Sequence, residues 1–206
     1  NTSDGDVTLH GLLNSGNQYS FTSTTDNYKW TDARGDAKNG TGGGSALNHS
    51  YLVTITSRLE NSIAGLTANY QSAWIGAYRD RNTIIGSNDT FWYWADGPEA
   101  NQHFYTQSNG STVAGYYSNF ASGEPNGTGD SDSDEFFGQF FGAEGLWNDL
   151  KNTGGSGVYI VKGYVSETNL ASSPVVINAG SGDVHFDGGV GTSKALASLD
   201  VTAANT

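Results

Sequence analysis

Between Arg81 and Lys151 the chain has no Lys or Arg, yet that interval holds ten acids: Asp89, Asp96, Glu99, Glu124, Asp130, Asp132, Asp134, Glu135, Glu144 and Asp149. Like charges repel, so a compact fold must either spread these acids over solvated surface or relieve them with a cation. Ca²⁺ takes about six to eight oxygen ligands from carboxylates, amides, carbonyls and water. An acid run with no base inside it favours the cation site over the merely solvated face. The net charge of −12 also argues against a nucleic-acid backbone as partner, because that partner needs a basic surface.

The 206 residues suffice for one main domain and some additional structure. Five Trp, eleven Tyr and nine Phe bury large areas from few positions. With 29 Gly and three Pro, the chain reads as turn-rich, with strands and loops rather than a helical bundle. No apolar run reaches the roughly 20 residues needed to span a bilayer. The polar start from Asn1 to Asp6 shows no signal peptide, so a soluble, mature or excised piece with no membrane insertion is expected. Cysteine is absent, which excludes disulfides, zinc–thiolate sites and thiol nucleophiles. Small secreted eukaryotic domains lean on disulfides, so a cysteine-free surface domain points to a bacterial, extracellular setting.

Local patterning predicts helices first and strands after. Tyr28 to Ala37 reads as a helix with Trp30, Ala33 and Ala37 on one face, and Lys38 to Ser50 as a Gly- and Asn-rich loop. Leu52 to Thr56 alternates as a strand. Ser57 and Glu60 then form a capping-box pattern ahead of Leu59, Ile63 and Leu66, which recur at helical spacing. Strands are predicted at Ala73 to Ala77, Phe91 to Trp94, Phe136 to Phe141, and Gly157 to Val161 with extension toward Val165. Between them, Asp96 to Asp134 is a long polar stretch, and long loops in compact domains are usually functional or disordered.

The two ends share a spelling. Gly5-Asp-Val-Thr-Leu-His-Gly11 and Gly182-Asp-Val-His-Phe-Asp-Gly188 both read G-D-V-x-Φ-x-G, each followed two residues later by an apolar residue, Leu13 and Val190. Gly-punctuated short strands of this kind build β-solenoids. The expected organisation is an N-terminal β segment over residues 1–20, a domain over 21–167, and a C-terminal repeat-like β segment over 168–206.

Three clusters carry hard-cation chemistry. Glu124-Pro125-Asn126 places two oxygen-bearing side chains around a proline, where a cis peptide can aim both at one point. Asp130, Asp132, Asp134 and Glu135 follow, and Asn148-Asp149 comes after Trp147. Asp130-x-Asp132-x-Asp134 is not an EF-hand, since Glu135 stands at its sixth position and Phe141 at its twelfth.

At these motifs the sequence resembles C-type lectin domains in their bacterial form. The matching segments run in family order: Trp30 to Ala33, Leu52 to Ser57 with Glu60-Asn61, Trp74 to Ala77, Trp92 to Gly97, Tyr117 to Phe120, Glu124 to Asn126, Trp147 to Asp149, and Tyr159 to Val161. The resemblance covers about residues 25–165. It implies an α+β fold with two helices, small antiparallel sheets and a long calcium-binding loop. It also implies that Glu124, Asn126, Asp134, Asn148 and Asp149 ligate one Ca²⁺, and that Glu124, Asn126, Asn148 and Asp149 bind vicinal sugar hydroxyls. E-P-N implies a mannose-, glucose- or fucose-type preference. The family's cysteines are absent here, with Phe136 in place of one, and the spacing to the acids is longer. Asp132 is therefore an alternative to Asp134. A second calcium site would draw on Asp80, Asp89 and Glu135.

Trp74, Trp92, Trp94 and Trp147 are expected in the core, and Tyr116, Tyr117 and His103 are candidate ligand contacts. The four histidines, His10, His49, His103 and His185, show no metal-ligand spacing. Asn126-Gly-Thr128 is also a glycosylation sequon, and a glycan there would block the site. The expected function is calcium-dependent binding of glycans on a cell surface or in extracellular polysaccharide, as an adhesion module. Copies on a longer parent would supply avidity. The alternative is a calcium-stabilised protein-binding or display domain. No nucleophile–base pair or phosphate loop is visible, so enzymatic activity is not expected.

Overall fold

The computed structural model describes residues 7–9, 17–39, 49–80, 90–127, 134–142, 144–169, 175–180, 184–186 and 199–203. The chain divides into two compact units. One comprises residues 19–45 and 49–168, the other residues 1–18, 46–48 and 169–206.

The larger unit is α+β: two helices beside a mixed nine-stranded sheet, the architecture expected from the lectin resemblance. In chain order its elements are β2 (Asn17–Ser23), α1 (Trp30–Asn39), β3 (His49–Leu52), α2 (Arg58–Thr67), β4 (Trp74–Arg79), β5 (Phe91–Trp94), β6 (His103–Thr106), β7 (Ser111–Thr112), β8 (Phe137–Phe141), β9 (Leu146–Leu150) and β10 (Gly163–Asn169). The main path is β2-β10-β4-β5-β6-β7, with β3 on β10, and β8 joining β4 to β9. Pairing is antiparallel between β4 and β5, β4 and β8, and β8 and β9, but parallel where Tyr164 meets Trp74.

Helix α1 buries Trp30, Ala33 and Ala37, the face its sequence predicts. Arg34 and Lys38 on its other side grip Asp96 at 2.6 and 2.7 Å. Burial draws the Asp96 carboxyl upward, but the Arg34 and Lys38 hydrogen bonds more than offset this and hold it below its ordinary range. One acid of the base-free interval is thus neutralised by bases folded in from outside it.

Helix α2 starts as the sequence predicts and faces the other way. Ser57 Oγ accepts the Glu60 N–H at 3.2 Å, while Glu60 Oε2 accepts from the Thr56 main chain at 2.7 Å, one residue upstream of the usual capping-box donor. The helix buries Asn61, Ala64 and Gly65, and leaves Leu59 and Leu66 exposed at 72% and 64%. A small residue is needed at Gly65, where a Cβ would meet Tyr70 Cε1 of the turn after the helix at 2.7 Å. Asn61 bridges the helix to β9 by accepting from Trp147 Nε1 at 2.8 Å and donating to Gly145 O at 3.1 Å.

The core is aromatic. Trp74, Trp92, Trp94 and Trp147 are all buried, as expected. Trp94 stacks on Phe104 at 4.4 Å, and Trp147 meets both edge-on. Three strand assignments shift. The strand predicted over Leu52 to Thr56 is β3 at His49–Leu52, and Leu52 to Ile55 are all buried rather than alternating. Gly157–Tyr159 is a 3₁₀ turn beginning at a glycine with φ of 62°, and the last strand starts at Gly163. The stretch from Asp96 to Asp134, expected as one loop, contains β6 and β7.

The smaller unit has β1 (Val7–Leu9), β11 (Val175–Gly180), β12 (Val184–Phe186) and β13 (Leu199–Ala203). β1 pairs with β12 and β11 with β13, both parallel. Among the described residues no helix is long and apolar enough to cross a membrane.

Candidate functional site

Strand β9 supplies the floor of the site, with Asn148 and Asp149 opposite Gln139 and Gly138 of β8. The preceding loop is stitched to the same strand. The Trp147 N–H donates to Asn119 O at 2.8 Å, and Ala121 N–H to Trp147 O at 2.8 Å. The chain then turns at a cis Glu124–Pro125 bond. Beyond the turn, the Asp149 carboxylate accepts the main-chain N–H groups of Asn126 at 3.0 Å and Gly127 at 2.8 Å. The E-P-N segment is thereby clamped over β9 by the acid of the W-N-D segment.

Glu124, Asn126, Glu135 and Asn148 line one open cleft of about 580 Å³, completed by Asn27, Leu150, Lys151 and the turn from Thr153 to Ser156 with Tyr159. Asp149 is buried beneath it. Asn148 donates its amide N–H to Asp149 O at 2.7 Å. Asp134 does not line the cleft: its carboxylate lies 3.6 Å from the buried Arg79 guanidinium. Arg79 also donates to Gly127 O at 3.1 Å and sits 4.1 Å over the Phe136 ring. Of the adjacent acids Asp134 and Glu135, the second reaches the cleft. Asp132, Asp89 and Thr128 lie outside the described residues, so the alternative ligand, part of the second calcium site and the sequon have no structural account.

Carboxylates are crowded here. Burial, then the neighbouring Asp149 charge, pushes Glu124 up to about 7. Burial followed by Asp149 and Asp134 does the same to Glu135, with Lys151 and Arg79 pulling the other way. Asp149 is also raised by burial, against the lowering effect of the Gly127 and Asn126 N–H bonds. Glu124 Oε2 is buried with no N–H or O–H donor of the protein upon it, and the Glu124 carboxyl lies against that of Asp149, with which it can share a proton but not two negative charges. A buried carboxylate oxygen without a donor is costly unless something positive or protic meets it. Among the described residues no three His, Asp or Glu side chains form a ready ion cage, so any ion held here must also draw on amide, carbonyl or water oxygens.

Sequence reasoning missed Tyr159, a half-exposed ring on the cleft wall stacked on Phe141 at 4.9 Å. Its apolar neighbours had suggested a strand. Of the expected ligand contacts, Tyr116 is exposed, while Tyr117 packs on Trp147 and His103 on Phe91; none lines this cleft. A second cleft of about 540 Å³, walled by Tyr105, Gln107, Phe120 and Pro125, also reaches Glu124.

No family model matches the sequence. Halomucin from Haloquadratum walsbyi is 31% identical over 130 residues, covering 59% of this chain and 1% of that protein. The chain therefore spans about a hundredth of the length of the curated relative it matches. Similar solved structures are C-type lectin domains. CEL-I from Cucumaria echinata is 21% identical, covering 75% of this chain and 91% of its own, with a TM-score of 0.45. The cow CD23 carbohydrate-recognition domain is 23% identical, covering 75% and 88%, at 0.45. The mouse scavenger receptor C-type lectin domain is 19% identical, covering 74% and 90%, at 0.45.

Proposed function

We propose that the cleft over β9 binds Ca²⁺ and, through it, vicinal hydroxyls of a glycan of mannose, glucose or fucose type. The observation that carries this reading is the buried Glu124 Oε2, which no protein donor meets, beside the raised Glu135 and Asp149. A hard cation is the partner such an oxygen set suits. Glu124, Asn126, Asn148 and Asp149 would hold it, with the remaining acid coming from Glu135 on the cleft wall or from Asp134 released by Arg79. Bound calcium would supply a Lewis-acidic centre for sugar oxygens. The chain's own part is to orient carboxylates and amides so that they accept from and donate to those same hydroxyls.

The domain serves adhesion as one of several copies on a long extracellular parent, at a bacterial surface. The absence of cysteine supports the bacterial setting, and the much greater length of the halomucin relative supports the long parent alone.

The test is calorimetric titration of Ca²⁺ into EDTA-treated protein, repeated with Glu124→Ala and Asp149→Ala. Saturable binding lost in both variants supports the site, after which a glycan array reads sugar preference. Absence of binding at millimolar Ca²⁺ removes the mechanism. Glu135→Gln against Asp134→Asn identifies the completing acid.

A second reading, a protein-binding display domain, is favoured by the exposed Leu59, Ile63 and Leu66 along α2. Competition by free mannose against a cell-surface ligand separates the two.

A further inference from the structure

We infer that β1, β11, β12 and β13 belong to successive rungs of a β-solenoid, and that the lectin-like unit is inserted into the connection between two adjacent rungs. This does not depend on the glycan reading. The decisive juxtaposition is the parallel register Val7↔Val184, Thr8↔His185, Leu9↔Phe186. It superposes the two copies of G-D-V-x-Φ-x-G letter on letter, although their flanking glycines lie outside the described residues. Chance similarity between two ends of a chain gives no reason for equivalent letters to be hydrogen-bonding partners.

The connectivity is that of a coil. β11 pairs with β13, Val175 opposite Leu199, a step of 24 residues. Between them the chain passes through β12, which pairs with neither and joins β1 instead. The path therefore alternates between two ladders, which is how a solenoid stacks its turns. Parallel neighbours require a long crossover, and each crossover here contains a strand of the other ladder.

The lengths agree as well. Val184 follows Val7 by 177 positions, and 150 of these are residues 19–168, the span of the lectin-like unit together with residues 46–48. Leaving out that stretch leaves 27, close to the 24 of the β11–β13 step. A rung of ordinary length remains when the lectin-like unit is taken away. The insertion occupies a connection and leaves the register of the ladder intact.

The absence of cysteine makes a direct test possible in the full chain. Two double variants probe the register, Thr8→Cys with His185→Cys and Ile177→Cys with Val201→Cys. Adjacent parallel partners fall within the Cα separation of about 4.4–6.8 Å that a disulfide spans. Controls shift one position, Thr8→Cys with Val184→Cys and Ile177→Cys with Thr202→Cys, because a one-residue slip turns side chains to opposite faces. Mild oxidation should close both in-register pairs at least tenfold faster than the shifted ones. Equal rates, or failure of either in-register pair, overturn the inference. Hydrogen exchange on the unsubstituted chain gives an independent reading. Amides of residues 7–9 should slow together with those of 184–186, and coil-like exchange at 7–9 with a protected lectin-like unit overturns it too.

Discussion

Gly127 and Asp149 are packed so closely that the glycine N–H donates to Asp149 Oδ2 at 2.8 Å, and a Cβ at residue 127 would meet that same oxygen at 2.9 Å. The Glu135 backbone carbonyl oxygen stands 2.8 Å from the same point. No side-chain carbon fits at residue 127 without displacing Asp149 or Glu135, although the cleft beside Glu124 and Asn126 stays open.

Gly127→Ala should therefore act on the site as well as on the fold. Overpacking of this kind costs about 1–3 kcal/mol, and the displaced carboxylates should weaken Ca²⁺ binding at least tenfold. Urea unfolding and calorimetry on the same sample measure the two effects. Unchanged affinity would show that Asp149 and Glu135 are not ligands.

The raised carboxylates set a pH dependence. Glu124 and Glu135 move from 4.5 to about 7 in the folded chain, so the unfolded state ionises first as pH rises. Metal-free protein should be more stable at pH 5 than at pH 8, losing stability across the window from 4.5 to 7. Ca²⁺ competes with those protons. Its stabilising effect, read as a Tm shift, should be largest at pH 8 and shrink as pH falls through 7.

Glu167 offers the same behaviour away from the cleft. It is 2% exposed, and burial followed by the nearby Glu60 charge pushes it up to about 7. Glu167→Gln keeps an oxygen for the Thr54 N–H and removes the buried charge. In EDTA it should raise stability by about 3 kcal/mol at pH 8 and leave it unchanged at pH 4. Denaturant melts at the two pH values decide this.

On helix α2 the polar side is the costly one. Asn61→Ala strands the Trp147 indole N–H, while the Gly145 carbonyl keeps the Asn119 amide at 2.8 Å, so the loss should be about 1–3 kcal/mol. Leu59→Ser and Leu66→Ser, both on the exposed side, should stay within about 0.5 kcal/mol of the parent chain. Thermal unfolding of the three variants gives the ranking.

That inversion shows what periodicity carries. Leu59, Ile63 and Leu66 recur at helical spacing and a helix forms there. Which side is buried depends on the fit of Asn61, Ala64 and Gly65 against residues far along the chain, which spacing cannot express. Trp30, Ala33 and Ala37 gave the right face because one large ring with two small neighbours is both pattern and fit. The site divides in the same way. Glu124, Asn126 and Asn148 were legible as oxygen donors beside a proline and a tryptophan, and they share a cleft. Asp134 and Glu135 are adjacent, so their side chains diverge, and it is Arg79 on a distant strand that draws Asp134 toward itself. The apolar run after Gly157 resembled a strand, yet the positive φ of that glycine starts a turn and delays the strand to Gly163.

The parallel pairing of β1 with β12 has a mechanical side. Tension drawn through the N-terminal end of one strand and the C-terminal end of its parallel neighbour runs along the strands in opposite directions, so the ladder from Val7↔Val184 to Leu9↔Phe186 is loaded in shear. All its hydrogen bonds then resist at once instead of opening one by one. The 150 residues of 19–168 lie within the loop those bonds close. A force passed along the backbone bypasses that loop until the ladder parts.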